Sequence, residues 1–179
     1  MESLIDDMLP EMIFGDRRRN KSTALSLMLV VATVTVTDQA TKWFILTEVM
    51  NPPRIIPITP FFNLVLTFNK GVSFGMFQDF FAPRPGFLAL IGLAIVAVLV
   101  AWALRAQSKY ERLGLAMISG GALGNIIDRW RQGAVTDFLD FYWQDLHWPT
   151  FNAADVFIFA GTAVLFTTAV VPGLKISEH

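Results

Sequence analysis

The chain has 179 residues, of which 54% are hydrophobic and 16% are charged, and its mean hydropathy is +0.50. These values indicate one integral membrane domain and argue against a soluble protein. The net charge of −1 gives no basic surface of the kind that binds nucleic acid, and the lack of cysteine excludes disulfides and thiol nucleophiles. The two histidines are too few for a histidine-rich metal site.

The N-terminal segment, residues 1–22, is polar and ends in a basic run, Arg17-Arg18-Arg19-Asn20-Lys21. This composition predicts a frayed extension with a basic anchor at the membrane surface. The apolar run from about residue 23 to 45 predicts the first transmembrane helix, because it lacks the small-residue cleavage site of a signal peptide. Asp38 and Lys42 are four residues apart in this helix, so they share one face and are predicted to form an ion pair.

Residues 51–85 have a different character, because six prolines interrupt any helix there. Residues 62–68 have the composition of a strand, Asn69-Lys70-Gly71 is a turn signal, and residues 72–77 are predicted to be a second strand. These patterns predict a small β-hairpin that is rich in phenylalanine. Because open sheet edges cannot face lipid in the hydrocarbon core, we expect this external β-cradle at the membrane interface.

Three further apolar segments predict the second, third and fourth transmembrane helices. They are residues 87–104, 113–129 and 153–171. In the third helix, small residues recur every four positions at Ala116, Gly120 and Gly124, a pattern that lets helices pack closely in lipid. The segment from Trp130 to Thr150 is predicted to be a polar and aromatic loop at the interface.

The predicted fold is therefore mainly α, with four transmembrane helices in a membrane domain of residues 23–172 and an external β-cradle at about residues 51–85. Four spans place both termini on one side of the membrane. Lys and Arg are concentrated in the N-terminal run and in the short connection after the second helix. By the positive-inside rule, the N-terminal extension and the tail of residues 173–179 are both expected to be cytoplasmic.

Polar residues collect where the third helix ends and the fourth begins. They are Asn125, Asp128, Asp137, Asn152 and Asp155. Charges that border hydrocarbon are costly, so they are usually functional or tightly paired. Two aspartates that share a proton can act as acid and base on a bound water molecule, since their repulsion and burial separate the two titrations.

The spacing of these residues leaves two questions open. It does not choose which two of the three aspartates react, although Asp128 directly precedes Arg129 and is expected to form a charge pair that caps the helix. An aspartate pair at membrane level could equally carry protons in a small transporter. That alternative predicts a continuous polar path through the bilayer. It is disfavoured because the lower halves of the second, third and fourth helices carry almost no ionisable residues.

Five motifs of this chain occur in the same order in a known family. They are Asp38-Gln39-Ala40-Thr41-Lys42, Asn69-Lys70-Gly71-Val72-Ser73-Phe74-Gly75, Gly120-Gly121-Ala122-Leu123-Gly124-Asn125-Ile126-Ile127-Asp128-Arg129, Val135-Thr136-Asp137-Phe138 and Phe151-Asn152-Ala153-Ala154-Asp155. Over roughly residues 23–172 the chain therefore resembles the lipoprotein signal peptidases, which are the signal peptidase II family of membrane aspartyl peptidases.

The resemblance implies a bacterial inner-membrane endopeptidase with its active site on the external side. Such an enzyme removes the signal peptide of a prolipoprotein just before the diacylglyceryl-modified cysteine. By motif position, Asp137 and Asp155 match the catalytic pair. The matching support and substrate-binding residues are Asp38, Lys42, Asn69, Gly71, Asn125, Arg129 and Asn152. The implied partners are the lipid-modified prolipoprotein, membrane lipids and globomycin-type peptide inhibitors that bind the dyad, whereas no metal, cofactor or nucleic acid is implied.

Overall fold

The computed structural model of the protein describes the backbone of residues 2–71 and 85–171, with the side chains of residues 22–71 and 86–171. This part of the chain forms four α-helices, a π-helical turn and a four-stranded antiparallel sheet. The helical elements are α1 (Glu2–Phe44), the π-helical turn (Ile45–Val49), α2 (Pro85–Arg105), α3 (Lys109–Gln132) and α4 (Ala153–Val170). The strands are β1 (Ile56–Thr59), β2 (Phe62–Asn69), β3 (Val135–Trp143) and β4 (Leu146–His147), hydrogen-bonded in that order.

Three helical segments in the described part of the chain are long and apolar enough to cross a membrane. They are Ser22–Val49, Gly86–Arg105 and Ala153–Val170. Large apolar side chains are exposed on these segments, and Phe159 of α4 is 77% exposed. Broad apolar surfaces of this kind suit contact with lipid tails. The structure therefore confirms a mostly helical membrane fold with a small open sheet.

The central helix, α3, is not among these three apolar segments, so the span predicted over residues 113–129, which would bring the total to four, is not confirmed. It packs against α1, α2 and α4. Its buried residues are mostly small or polar: Gly114, Leu115, Ala116, Ser119, Gly120, Gly121, Gly124 and Asp128. A helix that is surrounded by protein needs less apolar surface than one that faces lipid. The central position of α3 therefore accounts for its lower hydropathy.

Glycines let α3 approach its neighbours closely. A Cβ atom on Gly121 would lie 2.5 Å from the backbone oxygen of Ala154 in α4, and one on Gly120 would lie 2.7 Å from Cβ of Val34 in α1. The carboxylate of Asp38 fills the space beside Gly124. The close packing predicted for the small residues of this helix is confirmed, and at Gly124 the space is used by a charged group.

The sheet differs from the predicted hairpin. β2 confirms the strand predicted over residues 62–68, but it pairs with β1 and β3, and the predicted second strand over residues 72–77 lies outside the described residues. The prediction of a loop over Trp130–Thr150 is wrong. α3 continues to Gln132, Gly133 ends it with a left-handed φ of 78°, and β3 follows. Val135, Thr136 and Phe138 of β3 are buried whereas Phe141 and Trp143 are exposed, and the strand pairs with β2, which is distant in the chain.

A β-bulge interrupts the pairing of β2 with β3. Leu64 lies opposite Leu139 and Thr67 lies opposite Asp137. Between these two pairs β2 advances by three residues and β3 by two, so β2 contains one extra residue. Beyond the bulge, Asn69 lies opposite Val135. Opposed residues of antiparallel strands point to the same face, and Val135 and Asp137 are two residues apart. The side chain of Asn69 therefore points to the same face of the sheet as Asp137.

The prediction that residues 1–22 form a frayed extension is wrong for the backbone, which is helical from Glu2. A helix that nucleates in the apolar span gains a hydrogen bond for every further residue it adds, so it can propagate into the polar segment. The polar segment is therefore continuous with the first span.

Gly161→Ala should destabilise the bundle. A Cβ atom at Gly161 in α4 would lie 2.6 Å from the backbone oxygen of Gly114 in α3, so the two helices would have to separate. We expect a loss of about 1–3 kcal/mol, measured as a lower melting temperature in detergent. Gly86→Ala is the matched control, because its Cβ atom would meet nothing within 4 Å. Equal melting temperatures for the two variants would contradict this account of the packing.

Candidate active site

The start of α4 fixes the orientation of Asp155. The side-chain oxygen of Asn152 accepts the backbone N–H of Asp155 at 3.1 Å, and Oδ2 of Asp155 accepts the backbone N–H of Asn152 at 3.2 Å. This reciprocal capping box satisfies two backbone donors that the helix itself leaves unpaired. Stabilisation of the helix end therefore also holds one carboxylate in place.

β3 brings Asp137 to the same place. Phe151 pairs with Leu139 of β3 through backbone hydrogen bonds of 2.9 and 3.1 Å, which puts Asn152 next to the strand. Nδ2 of Asn152 then donates to Oδ1 of Asp137 at 2.6 Å. Asp137 is only 2% exposed, so the residue that caps α4 also binds a buried carboxylate on the sheet.

Asn125 of α3 completes the link between the two carboxylates. Its Nδ2 donates to Oδ1 of Asp155 at 3.1 Å. Its Oδ1 accepts from Nδ2 of Asn152 at 3.2 Å and from Nζ of Lys42 at 2.9 Å. The structure thus joins Asp137 and Asp155 through two amides, each of which presents its nitrogen to a carboxylate.

A buried ion cluster lies next to these amides. Nζ of Lys42 contacts Oδ2 of Asp38 at 2.8 Å, which confirms the predicted pair within α1, and Oδ2 of Asp128 at 2.9 Å. Oδ1 of Asp38 accepts the backbone N–H of Ala154 at 2.9 Å, so the cluster reaches α4. The predicted direct ion pair of Asp128 with Arg129 is wrong, because Asp128 forms its ion pair with Lys42 and interacts with Arg129 only through its charge. Adjacent helix residues point in different directions, and Asp128 faces α1.

Arg129 faces the end of β2 instead. One guanidinium nitrogen donates to the backbone oxygen of Gly71 at 2.8 Å and another to that of Asn125 at 3.3 Å. Oδ1 of Asn69 accepts the backbone N–H of Gly71 at 2.9 Å, and the Asn69 side chain also hydrogen-bonds to Asp137. Every site residue predicted from the sequence therefore belongs to one connected network.

The positive charge in this network comes from Lys42 and Arg129. Lys42 occupies the space between Asp38 and Asp128, and Arg129 interacts electrostatically with both Asp137 and Asp155. Among the residues that the structure describes, no group of three or more His, Asp or Glu side chains is arranged to hold a metal ion.

The two carboxylates lie at the polar end of a cleft of about 460 Å³. Asn69, Asn125 and Arg129 contribute the polar part of its lining. The rest of the lining is mostly apolar and comes chiefly from α2, α3 and α4, with Leu88, Ile91, Ile95, Ile126, Ile158 and Phe159. Such a cleft can hold an apolar chain, and a polar bond at the end of that chain can then lie next to the two carboxylates.

The surroundings of Asp137 change its protonation. Burial, and next the negative charge of Asp155, raise the pKa of Asp137 from 3.8 to about 7. Hydrogen bonds from the side chains of Asn152 and Asn69 oppose this rise. Near neutral pH a substantial fraction of Asp137 is therefore protonated, and the site holds a proton next to a second carboxylate.

Two residues of the network were missed by the sequence analysis. Nε2 of Gln39 donates to Oδ1 of Asp128 at 2.9 Å, and the backbone N–H of Thr136 donates to Oδ2 of Asp128 at 3.0 Å. Both residues lie within the motifs quoted above, and this is the only feature of the sequence that could have pointed to a role in the site. A backbone donor such as that of Thr136 leaves no trace in the side-chain pattern.

The fold and the site define a helical membrane protein that holds two carboxylates at the polar end of an apolar cleft. A sequence model of the family described as signal peptidase (SPase) II matches residues 30–171. The chain belongs to this family of proteases, as its five motifs indicated.

Individual relatives agree with this assignment. The lipoprotein signal peptidase of Aeromonas hydrophila is 45% identical over 133 residues, which cover 73% of this chain and 79% of that protein. The lipoprotein signal peptidase of Serratia marcescens is 36% identical over 159 residues, which cover 89% of this chain and 92% of that protein. The chain also superposes on a structure described as a bacterial membrane enzyme, solved by the in meso method at 2.3 Å resolution. The TM-score is 0.71 at 25% identity, and the superposition covers 86% of this chain and 93% of that chain. The comparisons indicate a bacterial membrane protein and do not support the transporter alternative.

The stability of the protein should depend on pH through Asp137. Its pKa is raised on folding, so the protonated carboxyl stabilises the fold fully below about pH 4, and this contribution is lost as the pH rises through about 7. The shift corresponds to on the order of 4 kcal/mol. In Asp137→Asn, the melting temperature should change less across this pH range and should exceed that of the wild type at pH 8.

Asp145→Asn is the control for this measurement, because Asp145 is exposed in the turn between β3 and β4. It should keep the pH dependence of the wild type. If Asp137→Asn melted with the same pH dependence as the wild type, Asp137 would not carry the raised pKa.

Proposed function

We propose that the protein is an aspartic endopeptidase and that Asp137 and Asp155 form its catalytic dyad. The observation that carries this proposal is the joint placement of the two carboxylates. Both line one cleft, and each accepts a hydrogen bond from the linked amides of Asn152 and Asn125. Membership of a signal peptidase family supports a peptide bond as the target.

The dyad would hydrolyse this bond by acid and base catalysis. The ionised carboxylate takes a proton from a water molecule, whose oxygen forms a bond to the scissile carbonyl carbon. The protonated carboxyl group donates its proton to the carbonyl oxygen as negative charge develops there. The C–N bond of the tetrahedral intermediate then breaks, and the proton taken from water passes to the leaving nitrogen. As the carbonyl re-forms, the hydroxyl made from its oxygen returns its proton to the carboxylate that supplied it. The raised pKa of Asp137 supports Asp137 as the initial acid and Asp155 as the base.

The proposed substrate is a prolipoprotein that is cut just before its diacylglyceryl-modified cysteine. A signal segment is an apolar chain, and the cleft offers it apolar walls from three helices, including Ile91, Ile126 and Phe159. The carboxylates at the polar end would then meet the bond where the apolar segment stops. The names of the two relatives, both lipoprotein signal peptidases, support this class of substrate.

The remaining polar residues are proposed to support this reaction without transferring protons. Asn69 hydrogen-bonds to Asp137, and Arg129 ties Gly71 to α3, so these groups would orient the dyad and the substrate backbone. Globomycin-type peptide inhibitors are expected to bind at the same two carboxylates, because a polar group placed between Asp137 and Asp155 would occupy the position of the attacking water.

The orientation in the membrane is part of the proposal. α3 is proposed to span the membrane too, which brings the number of spans to four, since it packs against α1, α2 and α4. The basic N-terminal run and the basic connection between α2 and α3 would then lie in the cytoplasm with both termini. The dyad would lie on the external side of the bacterial inner membrane, at the level where lipidated substrates enter from the bilayer.

Asp137→Asn and Asp155→Asn should each abolish most of the cleavage of a lipidated prolipoprotein. The substitution keeps the size of the side chain but removes the ionisable group, and one general acid or base typically contributes about 10²–10⁴-fold to the rate. The loss should appear in kcat, because proton transfer belongs to the transition state. The assay follows the mobility shift of the product with purified protein.

Asp128→Asn is the contrasting variant. Asp128 binds Lys42 and the backbone of β3 but does not line the cleft, so its replacement should lower the melting temperature more than the turnover. Folded Asp137→Asn or Asp155→Asn protein that cleaves at nearly the wild-type rate would refute the dyad.

A reporter fused after Ile176 should be cytoplasmic, and one inserted near Asp79 should be external. The expected result follows from an even number of spans and from the basic residues at the N-terminal end. Enzymatic reporters that are active on only one side of the membrane would provide the measurement. The reverse labelling would place the cleft at the cytoplasmic surface and contradict the proposed orientation.

A further inference from the structure

Lys42 is a buried ammonium group whose donors are all engaged. The side chain is 3% exposed, and Nζ lies 2.8 Å from Asp38, 2.9 Å from Asp128 and 2.9 Å from Oδ1 of Asn125. An ammonium group has three N–H donors and no acceptor. Two donors bind the carboxylates of Asp38 and Asp128, and the third binds the neutral amide that contacts Asp155.

This third bond determines which way the Asn125 amide points. An asparagine side chain has an accepting oxygen at one end and a donating nitrogen at the other. At Asn125, the end that faces Lys42 also faces Nδ2 of Asn152, so two donors require the oxygen there. The nitrogen must then face Asp155. With the amide reversed, nitrogen would meet two donors and oxygen would meet a carboxylate.

We propose that Lys42 is a positioning residue for the dyad: its bond to Asn125 keeps the amide nitrogen on Oδ1 of Asp155 and so holds the orientation of this carboxylate during turnover. The inference rests on the proposed function of Asp155 as the base. It assigns to Lys42 an effect on turnover that is separate from its ion pairs with Asp38 and Asp128.

The effect matters at the moment when Asp155 has taken a proton from water. A neutral carboxyl no longer attracts the Asn125 nitrogen by its charge, so the orientation of the amide then depends on Lys42 and Asn152. Oδ1 then keeps the donor from Asn125 and Oδ2 keeps the backbone N–H of Asn152, so the carboxyl group stays in place while its proton passes to the leaving nitrogen. Asp155 thus returns to the ionised form for the next turnover.

A double-mutant cycle tests this coupling. Lys42→Met should lower kcat by about 10- to 100-fold in the wild-type background, which is the range of coupling for residues in one hydrogen-bond network. In the Asn125→Ala background, the same substitution should lower kcat by less than about 3-fold, because the amide through which Lys42 acts is gone. KM should change little in either background.

The melting temperature separates positioning from stability. Lys42→Met leaves Asp38 and Asp128 without their ion-pair partner, so it should lower the melting temperature in both backgrounds. Lys42 would be purely structural if the loss of kcat were equal in both backgrounds, and the proposal would be overturned. Asp137→Asn and Asp155→Asn are assayed in parallel. Full activity of either would refute the dyad itself, which is a different result.

Asn125→Asp keeps the proposal testable if Lys42→Met does not fold. The new carboxylate can still accept from Lys42, so the protein should remain assembled, but it presents an oxygen to Asp155 where the amide presented a donor. We expect kcat to fall at least 10-fold at neutral pH and the acid limb of its pH profile to move to higher pH. Wild-type kcat with an unchanged pH profile would overturn the proposal.

Discussion

The contact of Lys42 with Asp38 and Asp128 is the interaction on which the rest of the structure depends. It lies in the interior of the bundle, where unpaired charge is expensive, and its members come from α1 and α3. The same carboxylates accept the backbone N–H groups of Ala154 and Thr136, at the starts of α4 and β3. One charge cluster thus links α1, α3, α4 and β3, which carry both carboxylates of the site.

Helices in lipid do not associate by burying apolar surface from water, so packing and polar contacts have to hold them together. The glycines of α3 and the ion cluster provide both. Gly124 shows how the two depend on each other, because the missing side chain is what admits Asp38 to the interface. A larger residue there would exclude the carboxylate and separate Lys42 from one of its partners.

The parts of the structure that depend on local sequence were predictable. Three of the apolar runs coincide with helices that are long and apolar enough to cross a membrane. The spacing of Asp38 and Lys42 predicted their ion pair. The spacing did not choose between the aspartates. Asp137 reaches the site through the pairing of β3 with β2 and with Phe151, which is long-range and leaves no local pattern. The partner of Asp128 was missed for a similar reason, since it lies on another helix.

The bulge in β2 determines which changes of strand length alter the position of Asn69. Substituting Val65 or Leu66 alters one side chain, but deleting either would remove the extra residue and restore a regular two-residue alternation. The residues beyond the bulge would keep their partners after such a deletion, with Thr67 opposite Asp137 and Asn69 opposite Val135. Loss of Val65 or Leu66 should therefore leave Asn69 on the face of Asp137, whereas loss of Phe68 would put Asn69 opposite Thr136 and turn its side chain to the other face of the sheet.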